Sequence, residues 1–343
     1  MRKLLNTLYV TQPDAYLACD GENILVKINN EIRFRMPIHN LEGIVCFGFA
    51  GASPGLMYLC AERGVMLSFL SPYGKFLARL QGAVSGNVLL RKTQYQWSEQ
   101  VEQSNRLSKR FIAAKLVNCR SVLQRTVRDH CDRVNTEVIQ SVIKRISDLV
   151  DRLDNCMDGD EIRGIEGEAA YRYFSCFNEM IFADKKAFSL EDRNRRPPTD
   201  RVNALLSFLY TLLSHEVTAA LESVGLDPQV GFLHRDRPGR PSLALDVMEE
   251  LRPHFADRLV LTLINRQQIK ASDFIIKENG AVLLSDDARK TVLTTWQSRK
   301  LEEITHPFLN EKVPLGLVPY VQSLLLARHL RGDISDYPPF YWK

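Results

Sequence analysis

The sequence predicts an α+β protein, with a small N-terminal β domain of sandwich-like hairpins and one short helix, followed by a larger all-α C-terminal domain. Two observations carry this prediction. Period-two alternation and turn dipeptides dominate residues 1–85, whereas apolar residues recur with a period of 3.6 over most of the remainder. The composition changes after Gly86, so we assign domains to residues 1–85 and 86–343, with the boundary near residues 82–92.

Turn signals and alternation locate the elements of the first domain. Asp20-Gly21 is a two-residue hairpin signal, and residues 31–36 alternate apolar with polar side chains. Pro54–Arg63 has proline near its start and Gly64 directly after it, which is typical of a short helix with a glycine C-cap. The predicted strands are 15–19, 23–28, 31–36, 65–70 and 75–80.

Helical periodicity organises the second domain. Asp200 is a suitable N-cap for a long apolar helix that ends before Gly225. The other predicted helical segments are 98–146, 162–182, 242–255, 257–264, 286–304 and 315–330.

Bulk composition favours a globular protein of the cytoplasm. Hydrophobic residues make up 45% and charged residues 25% of the 343 residues, and no run of about 18 apolar residues predicts a membrane span. The N-terminus lacks the apolar core and cleavage site of a signal peptide. The seven cysteines are widely spaced without a C-x-x-C pair, which favours free thiols in a reducing compartment over disulfides or a zinc site.

Basic residues are clustered although the net charge is only +4. Between residues 91 and 128 there are nine Lys or Arg residues against two acids, and two shorter clusters follow. Each cluster alone could be a solvated face, but three together are typical of a phosphate-backbone binder. The basic residues that we predict to bind DNA are Arg106, Lys109, Arg110, Arg193, Arg195, Arg196, Arg235 and Arg237.

Three segments hold candidate ligands and catalytic groups. Glu166 is expected at the start of a helix, where the helix dipole alone would favour an acid. His234 ends an apolar run, and Asp246, Glu249 and Glu250 follow at helical spacing. Carboxylates with one imidazole suit Mn²⁺ or Mg²⁺, which would assist chemistry on a phosphodiester. Spacing alone does not join Glu166 to the later residues.

The sequence resembles the CRISPR-associated protein one family, the integrase-endonuclease of spacer acquisition, and most of all its type I-C branch. The resemblance covers nearly the whole chain and depends on several motifs together. The matching strings are Arg163-Gly164-Ile165-Glu166-Gly167 with Ala169, Ala170 and Tyr173-Phe174; Arg196-Pro197-Pro198-x-Asp200-x-x-Asn203-Ala204-Leu205-Leu206-Ser207-Phe208; Gly225-Leu226-Asp227-Pro228-x-x-Gly231-Phe232-Leu233-His234; Leu243-Ala244-Leu245-Asp246-x-Met248-Glu249; His306-Pro307-Phe308; and Gln322-x-x-Leu325-Leu326-Ala327-Arg328.

The resemblance implies a catalytic metal site formed by Glu166, His234 and Glu249. Several relatives have aspartate where this chain has Glu249, so either Glu249 or Asp246 could be the direct third ligand; we favour Glu249, with Asp246 as a supporting catalytic acid and Glu250 facing solvent. The resemblance also implies a homodimer, a small companion (CRISPR-associated protein two), and insertion of short double-stranded DNA into a repeat array, in which 3′-hydroxyls attack phosphodiesters.

Two other functions are compatible with these residues. A non-catalytic DNA-binding scaffold would bind DNA in a salt-sensitive way without metal-dependent cleavage or joining. A metal hydrolase of small phosphoesters would use the same ligands but would leave the basic cluster at residues 91–128 without a role.

Overall fold

The computed structural model describes residues 6–12, 14–48, 51–71, 76–80, 82, 88–194 and 197–342. The chain forms two compact units. The first comprises Met1–Ser85, Leu284–Glu302 and Pro314–Gly316, and the second comprises Gly86–Leu283, Glu303–Val313 and Leu317–Lys343.

The first unit contains two four-stranded sheets. One sheet has the order β1-β5-β7-β8 and the other β4-β3-β2-β6. The predicted hairpins are present, and the sequence missed β5, a fully buried strand that pairs in parallel with β1 and β7. A buried parallel strand has no polar alternation to identify it. The strands are β1 Thr7–Val10, β2 Tyr16–Asp20, β3 Asn23–Ile28, β4 Glu31–Pro37, β5 Gly43–Phe47, β6 Gly51–Ala52, β7 Met66–Leu70 and β8 Phe76–Leu80.

Helix α1 (Pro54–Arg63) contributes to one core with both sheets. Ser53 caps its N-terminus by accepting a hydrogen bond from the Leu56 N–H, and Gly64 ends it at φ +64°, as the sequence predicted. Leu56 is fully buried in the same cluster as Leu17 and Ile44 from the two sheets. Burial of this apolar surface is the main stabilising contribution to the unit.

Helix α9 (Asp286–Lys300) also belongs to the first unit, which differs from the predicted division at residue 85. Its Gln297 side chain donates to the Thr7 carbonyl over 3.3 Å, and the Arg289 guanidinium lies 5.9 Å from the centre of the Phe47 ring. A helical pattern shows that one face is buried, but it contains no information about which distant strand covers that face.

The second unit is mostly helical. The predicted segment 98–146 is divided among three helices, because Gln100 has an extended backbone conformation and Asn135 caps a new helix by accepting from the Val138 N–H. The helices are α2 Val88–Glu99, α3 Val101–His130, α4 Thr136–Asp154, α5 Gly159–Ser175, α6 Arg201–Ser223, α7 Ser242–Glu249, α8 Arg258–Asn265 and α10 Val318–Leu330, and the short strand pairs are β9 Phe274–Ile276 with β10 Val282–Leu284 and β11 Glu303–Thr305 with β12 Lys312–Pro314.

Two helices position the site described below. The 30-residue α3 packs against α2, α4, α5 and α7, and its buried residues include four polar ones, Ser108, Lys115, Asn118 and Thr126. Helix α6 begins where the sequence predicts, with Asp200 accepting from the Asn203 N–H over 2.7 Å. By length and composition α6 is the one described helix that could cross a membrane, but 61% of its most apolar window is buried inside the protein.

Candidate active site

Helix α5 presents Glu166 from its middle. The helix begins at Gly159, seven residues before Glu166, so the prediction that this glutamate lies at a helix start is wrong and the helix dipole does not account for it. Glu168 lies on another face, where its carboxylate accepts from Arg145 Nε over 2.7 Å. The two acids therefore have separate surroundings, as their spacing predicts.

Asp246 fixes the position of His234. One Asp246 oxygen accepts from the backbone N–H groups of Phe232 and Leu233 over 2.6 and 3.0 Å, and the other accepts from the His234 N–H over 3.0 Å. That second oxygen also lies 2.6 Å from His234 Nδ1. A Cβ at Gly231 would stand 2.7 Å from the Asp246 carboxylate, so this close approach requires glycine.

This arrangement selects one tautomer of His234. Because the Asp246 carboxylate can only accept, Nδ1 must carry the proton, which leaves the lone pair on Nε2 available. Nε2 points toward Glu249, whose Oε1 is 3.9 Å away. Asp246 is thus a positioning residue for the imidazole, and Glu249 is the acid that faces it.

Glu249 is a buried carboxylate between two cations. Its side chain is 2% exposed; Oε1 accepts from Arg252 Nη1 over 2.5 Å and Oε2 lies 2.7 Å from Lys115 Nζ. Burial acts to raise the pKa of Glu249, but Arg252 and then Lys115 outweigh it and lower the pKa to about 2. Glu249 is therefore ionised at neutral pH.

Lys115 connects the two glutamates. Its ammonium donates to Glu166 Oε1 while it contacts Glu249, and its side chain is 8% exposed. Burial acts to lower the pKa of Lys115, but Glu249 and Glu166 together raise it above its ordinary value. Residues from α3, α5, α7 and the segment before α7 thus meet at one place, as the predicted set Glu166, His234 and Glu249 requires.

A second polar layer holds Arg252 in place. Its guanidinium lies 5.0 Å from the centre of the Tyr210 ring, and the Tyr210 hydroxyl donates to Asp257 Oδ1 over 2.7 Å. Asp257 is 2% exposed, and burial raises its pKa to about 6 despite the Tyr210 hydrogen bond. Stacking on Tyr210 and the ion pair with Glu249 together hold the Arg252 side chain in place.

Glu250 does not face solvent, so that prediction is wrong. It is fully buried, and its carboxylate accepts from the Tyr337 hydroxyl, from the Phe340 N–H over 2.6 Å and from Gln322 Nε2 over 3.2 Å. Burial raises the pKa of Glu250 to about 7, against the effect of these hydrogen bonds. Two of these partners, Tyr337 and Phe340, lie in the C-terminal segment. That segment has no helical periodicity, so no local sequence pattern predicts that they contact Glu250.

His234 is accessible from a surface pocket of about 470 Å³. Arg163 and Arg235 also line this pocket; Arg163 donates to the Leu233 carbonyl over 3.1 Å, and Arg235 contacts the Asp160 carboxylate over 3.0 Å. Arg237 is exposed on the same loop. Two of the predicted DNA-binding residues, Arg235 and Arg237, therefore lie at the surface close to His234.

The predicted basic residues of α3 already have partners. Arg106 and Arg110 both pair with the Asp336 carboxylate, at 3.3 and 2.5 Å, and Lys109 donates to the Asp154 carbonyl over 2.9 Å. The two arginine side chains are 46% and 42% exposed, so these surface pairs are weak and leave the arginines accessible to a phosphate.

Arg193 is directed inward, which argues against the predicted DNA contact. Its guanidinium donates to Asn203 Oδ1 and lies 5.1 Å from the centre of the Tyr210 ring. Arg195 and Arg196, the other two predicted residues of this cluster, lie outside the described residues.

Sequence reasoning assigned no site role to Lys115, Arg252, Tyr210 or Asp257. Lys115 belongs to the basic cluster at residues 91–128, but its spacing from Phe111 places it on the buried stripe of α3. A charged residue at a core position needs a partner of opposite charge, and that signal could have identified it. Arg252 stands three residues after Glu249, a spacing that places both on one helix face.

Comparison with known proteins identifies the family. The model of the family described as "CRISPR associated protein Cas1" matches residues 8–298. A protein of Chlorobaculum tepidum named CRISPR-associated endonuclease Cas1 1 is 52% identical over 343 residues, which is 100% of both chains. A Rhodospirillum rubrum protein named CRISPR-associated endonuclease Cas1 2 is 51% identical over 352 residues, again 100% of both chains.

Solved structures have the same fold at lower identity. A casposase bound to integration product has a TM-score of 0.84 at 24% identity, with 98% of this chain and 95% of that chain covered. A CAS1 protein from Thermotoga maritima has a TM-score of 0.82 at 22% identity, with 98% and 100% covered. With matches of this extent, this chain belongs to the CRISPR-associated protein Cas1 family.

Proposed function

We propose that this protein is a Mn²⁺- or Mg²⁺-dependent DNA nuclease and integrase of CRISPR adaptation, acting in the cytoplasm. The observation that carries the proposal is that Glu166 and Glu249, from separate segments, meet at the Lys115 ammonium, while His234 Nε2 lies 3.9 Å from Glu249. Nucleic-acid chemistry is supported by the names of the close relatives, which are endonucleases of the same family.

The residues present suit a divalent metal ion, with Glu166, Glu249 and His234 as the proposed ligands. Two carboxylates and an imidazole Nε2 are donors that Mn²⁺ accepts, and Glu249 Oε2 is buried with the Lys115 ammonium 2.7 Å away. No three His, Cys, Asp or Glu side chains in the described part of the chain are already close enough to hold an ion. The ammonium of Lys115 lies between Glu166 and Glu249, so these two carboxylates already stabilise one cation at this position.

A bound divalent ion would polarise the phosphoryl oxygen that it contacts. The chain's own residues perform the other tasks. Asp246 keeps the His234 proton on Nδ1, and Arg252 keeps Glu249 ionised and in place. Arg163 and Arg235 supply positive charge beside His234, where a DNA strand would approach.

The proposed reaction is strand transfer of short double-stranded DNA into a repeat array. A 3′-hydroxyl of the incoming DNA attacks a repeat phosphodiester, so one P–O bond forms and the P–O bond to the neighbouring 3′-oxygen breaks. The attacking hydroxyl loses a proton and the departing 3′-oxygen gains one, which conserves the number of phosphodiesters. Attack by water at the same site would be DNA cleavage.

We also propose that the protein acts as a homodimer together with a small companion, CRISPR-associated protein two. A Cas6-RT-Cas1–Cas2 complex of similar fold supports the companion, with a TM-score of 0.83 at 20% identity over 99% of this chain and 36% of that chain. The assignment to the type I-C branch stays a prediction from sequence motifs.

The test compares Glu166→Ala and His234→Ala with the matched control Glu168→Ala, which removes a carboxylate from the same helix on a different face. Strand transfer and cleavage of a branched DNA substrate are measured with Mn²⁺ or Mg²⁺. We expect near-complete loss in the first two variants and retained turnover in the control. Undiminished strand transfer by Glu166→Ala or His234→Ala would contradict the site assignment.

The alternative of a non-catalytic DNA-binding scaffold has a different signature. A scaffold would bind DNA in a salt-dependent manner and would show no metal-dependent cleavage or joining in the wild-type chain. A small-phosphoester hydrolase would keep its affinity for DNA unchanged, and low, after charge reversal of Lys109 and Arg110. Metal-dependent cleavage or joining therefore separates the integrase from the scaffold, and DNA affinity across a salt series separates both from the hydrolase.

A further inference from the structure

Lys115 stands in the core of the proposed metal site. It lies on the buried stripe of α3, between Phe111 and Asn118, and its ammonium contacts Glu166 and Glu249 at once. Among the described residues, Arg252 contacts Glu249 and not Glu166, and Arg163 and Arg235 contact Asp160, so none of these three makes such a bridge.

Lys115 and Arg252 together balance the charges of the two glutamates. Glu166 and Glu249 contribute two negative charges, and Lys115 and Arg252 contribute two positive charges within 2.7 Å of Glu249. A divalent ion would add two further positive charges to the same small volume. Because like charges in a buried site repel strongly, the divalent ion would compete with the resident cations for these carboxylates.

Lys115 is the cation that can move. Both cations are buried, but Arg252 is held by stacking against Tyr210 as well as by Glu249. The ammonium of Lys115 instead stands at the end of a flexible four-carbon chain, and its contacts are with the two proposed metal ligands. Once those carboxylates bind a metal ion, the ammonium needs another anionic partner, and a DNA phosphate provides one.

We propose that Lys115 is a resident counter-cation that holds Glu166 and Glu249 together until a divalent metal ion replaces it, and that its ammonium then contacts a DNA phosphate. The inference rests on the proposed metal site and deepens it. In the DNA-free protein the Lys115 ammonium competes with the metal ion for Glu166 and Glu249. When DNA is bound, the ammonium contacts a phosphate instead and no longer competes. Metal binding and DNA binding therefore strengthen each other, and the coupling is the same in both directions.

The experiment measures Mn²⁺ binding to the full-length protein by the electron paramagnetic resonance signal of free Mn²⁺. Wild type is compared with Lys115→Met, which keeps the side-chain length and removes the charge, and with the control Lys144→Met, an exposed lysine of α4. Each protein is titrated alone and with a short DNA duplex that has 3′-deoxy ends and so cannot react.

We expect Lys115→Met to bind Mn²⁺ about tenfold more tightly than wild type without DNA, as removal of one repelling charge predicts. The duplex should tighten Mn²⁺ binding by wild type and by Lys144→Met about tenfold, and should have little effect on Lys115→Met. Loss of this coupling is the decisive readout, because a simple change in local charge would alter affinity and leave the coupling in place.

Two results would overturn the inference: Mn²⁺ binding by Lys115→Met that is no tighter than wild type, or an equal effect of DNA on both proteins. In either case Mn²⁺ binding by wild type would leave the proposed function intact. Absence of Mn²⁺ binding in every protein, with and without DNA, would contradict the metal site itself and the inference with it. Circular dichroism checks folding, and Lys115→Gln, which can still donate hydrogen bonds to the two glutamates, replaces the methionine variant if that variant unfolds.

Discussion

Glu249 and Glu250 are consecutive residues at the end of α7, and both are buried, yet their surroundings have opposite effects on their charge. Glu249 lies between two cations, and its pKa is about 2. Glu250 is surrounded by neutral hydrogen-bond donors, and its pKa is about 7. Burial alone raises the pKa of both, so the presence or absence of a neighbouring cation decides which glutamate is charged.

The end of α7 therefore directs one glutamate to the proposed metal site and the next to the packing of the C-terminal segment. Glu249 is kept as an anion toward Glu166 and His234, where a metal ion is proposed. Glu250 is directed to the C-terminal segment, which it fastens through Tyr337 and Phe340. Adjacent positions on a helix are about 100° apart, so the two glutamates can serve different neighbours.

We expect the largest difference between the two glutamates in strand-transfer activity. Glu249→Gln removes a proposed metal ligand and should lower strand transfer more than about 100-fold, beyond the roughly 10- to 100-fold cost of losing an outer partner of a metal site. Glu250→Gln resembles the protonated glutamic acid in shape and should stay within a few-fold of wild type. Equal damage from both substitutions would show that the two environments are not separable.

The next effect concerns the pH dependence of stability. Because the pKa of Glu250 is raised from 4.5 to about 7 on folding, its contribution is fully present below pH 4.5 and is lost as the pH rises through 7. At about 1.4 kcal/mol per pKa unit, the free energy of unfolding should fall by up to about 3 kcal/mol over that interval. Urea unfolding at several pH values should show this component in wild type and not in Glu250→Gln. An unchanged pH dependence in the variant would contradict the assignment to Glu250.

We expect the smallest effect from removing one of the neutral hydrogen-bond donors around Glu250. Tyr337→Phe removes the hydroxyl that donates to Glu250, and should lower the free energy of unfolding by about 1–2 kcal/mol. Because this hydrogen bond favours the ionised carboxylate, the loss should be greater at pH 8 than at pH 5. Urea unfolding at both pH values measures it, with Tyr320→Phe on α10 as the control. A greater loss at pH 5 would reverse our description of the Glu250 environment.

Local patterns were sufficient for much of the fold. The Asp20-Gly21 turn, the glycine cap at Gly64 and the Asp200 cap all occur where the sequence places them. Each of these signals acts through the backbone of a few neighbouring residues, so the rest of the fold is not needed to interpret it. Strand β5 and the assignment of α9 were missed because they depend on pairing and packing with distant residues.

The sequence was sufficient to predict the fold class and the family, and through the family resemblance it proposed Glu166, His234 and Glu249 as site residues. The tertiary structure decided what surrounds them: Lys115 between Glu166 and Glu249, Asp246 behind His234, and Glu250 turned to the C-terminal segment. The physical reason is that periodicity reveals whether a side chain is buried, whereas its charge state depends on groups that only the folded chain brings within a few ångströms.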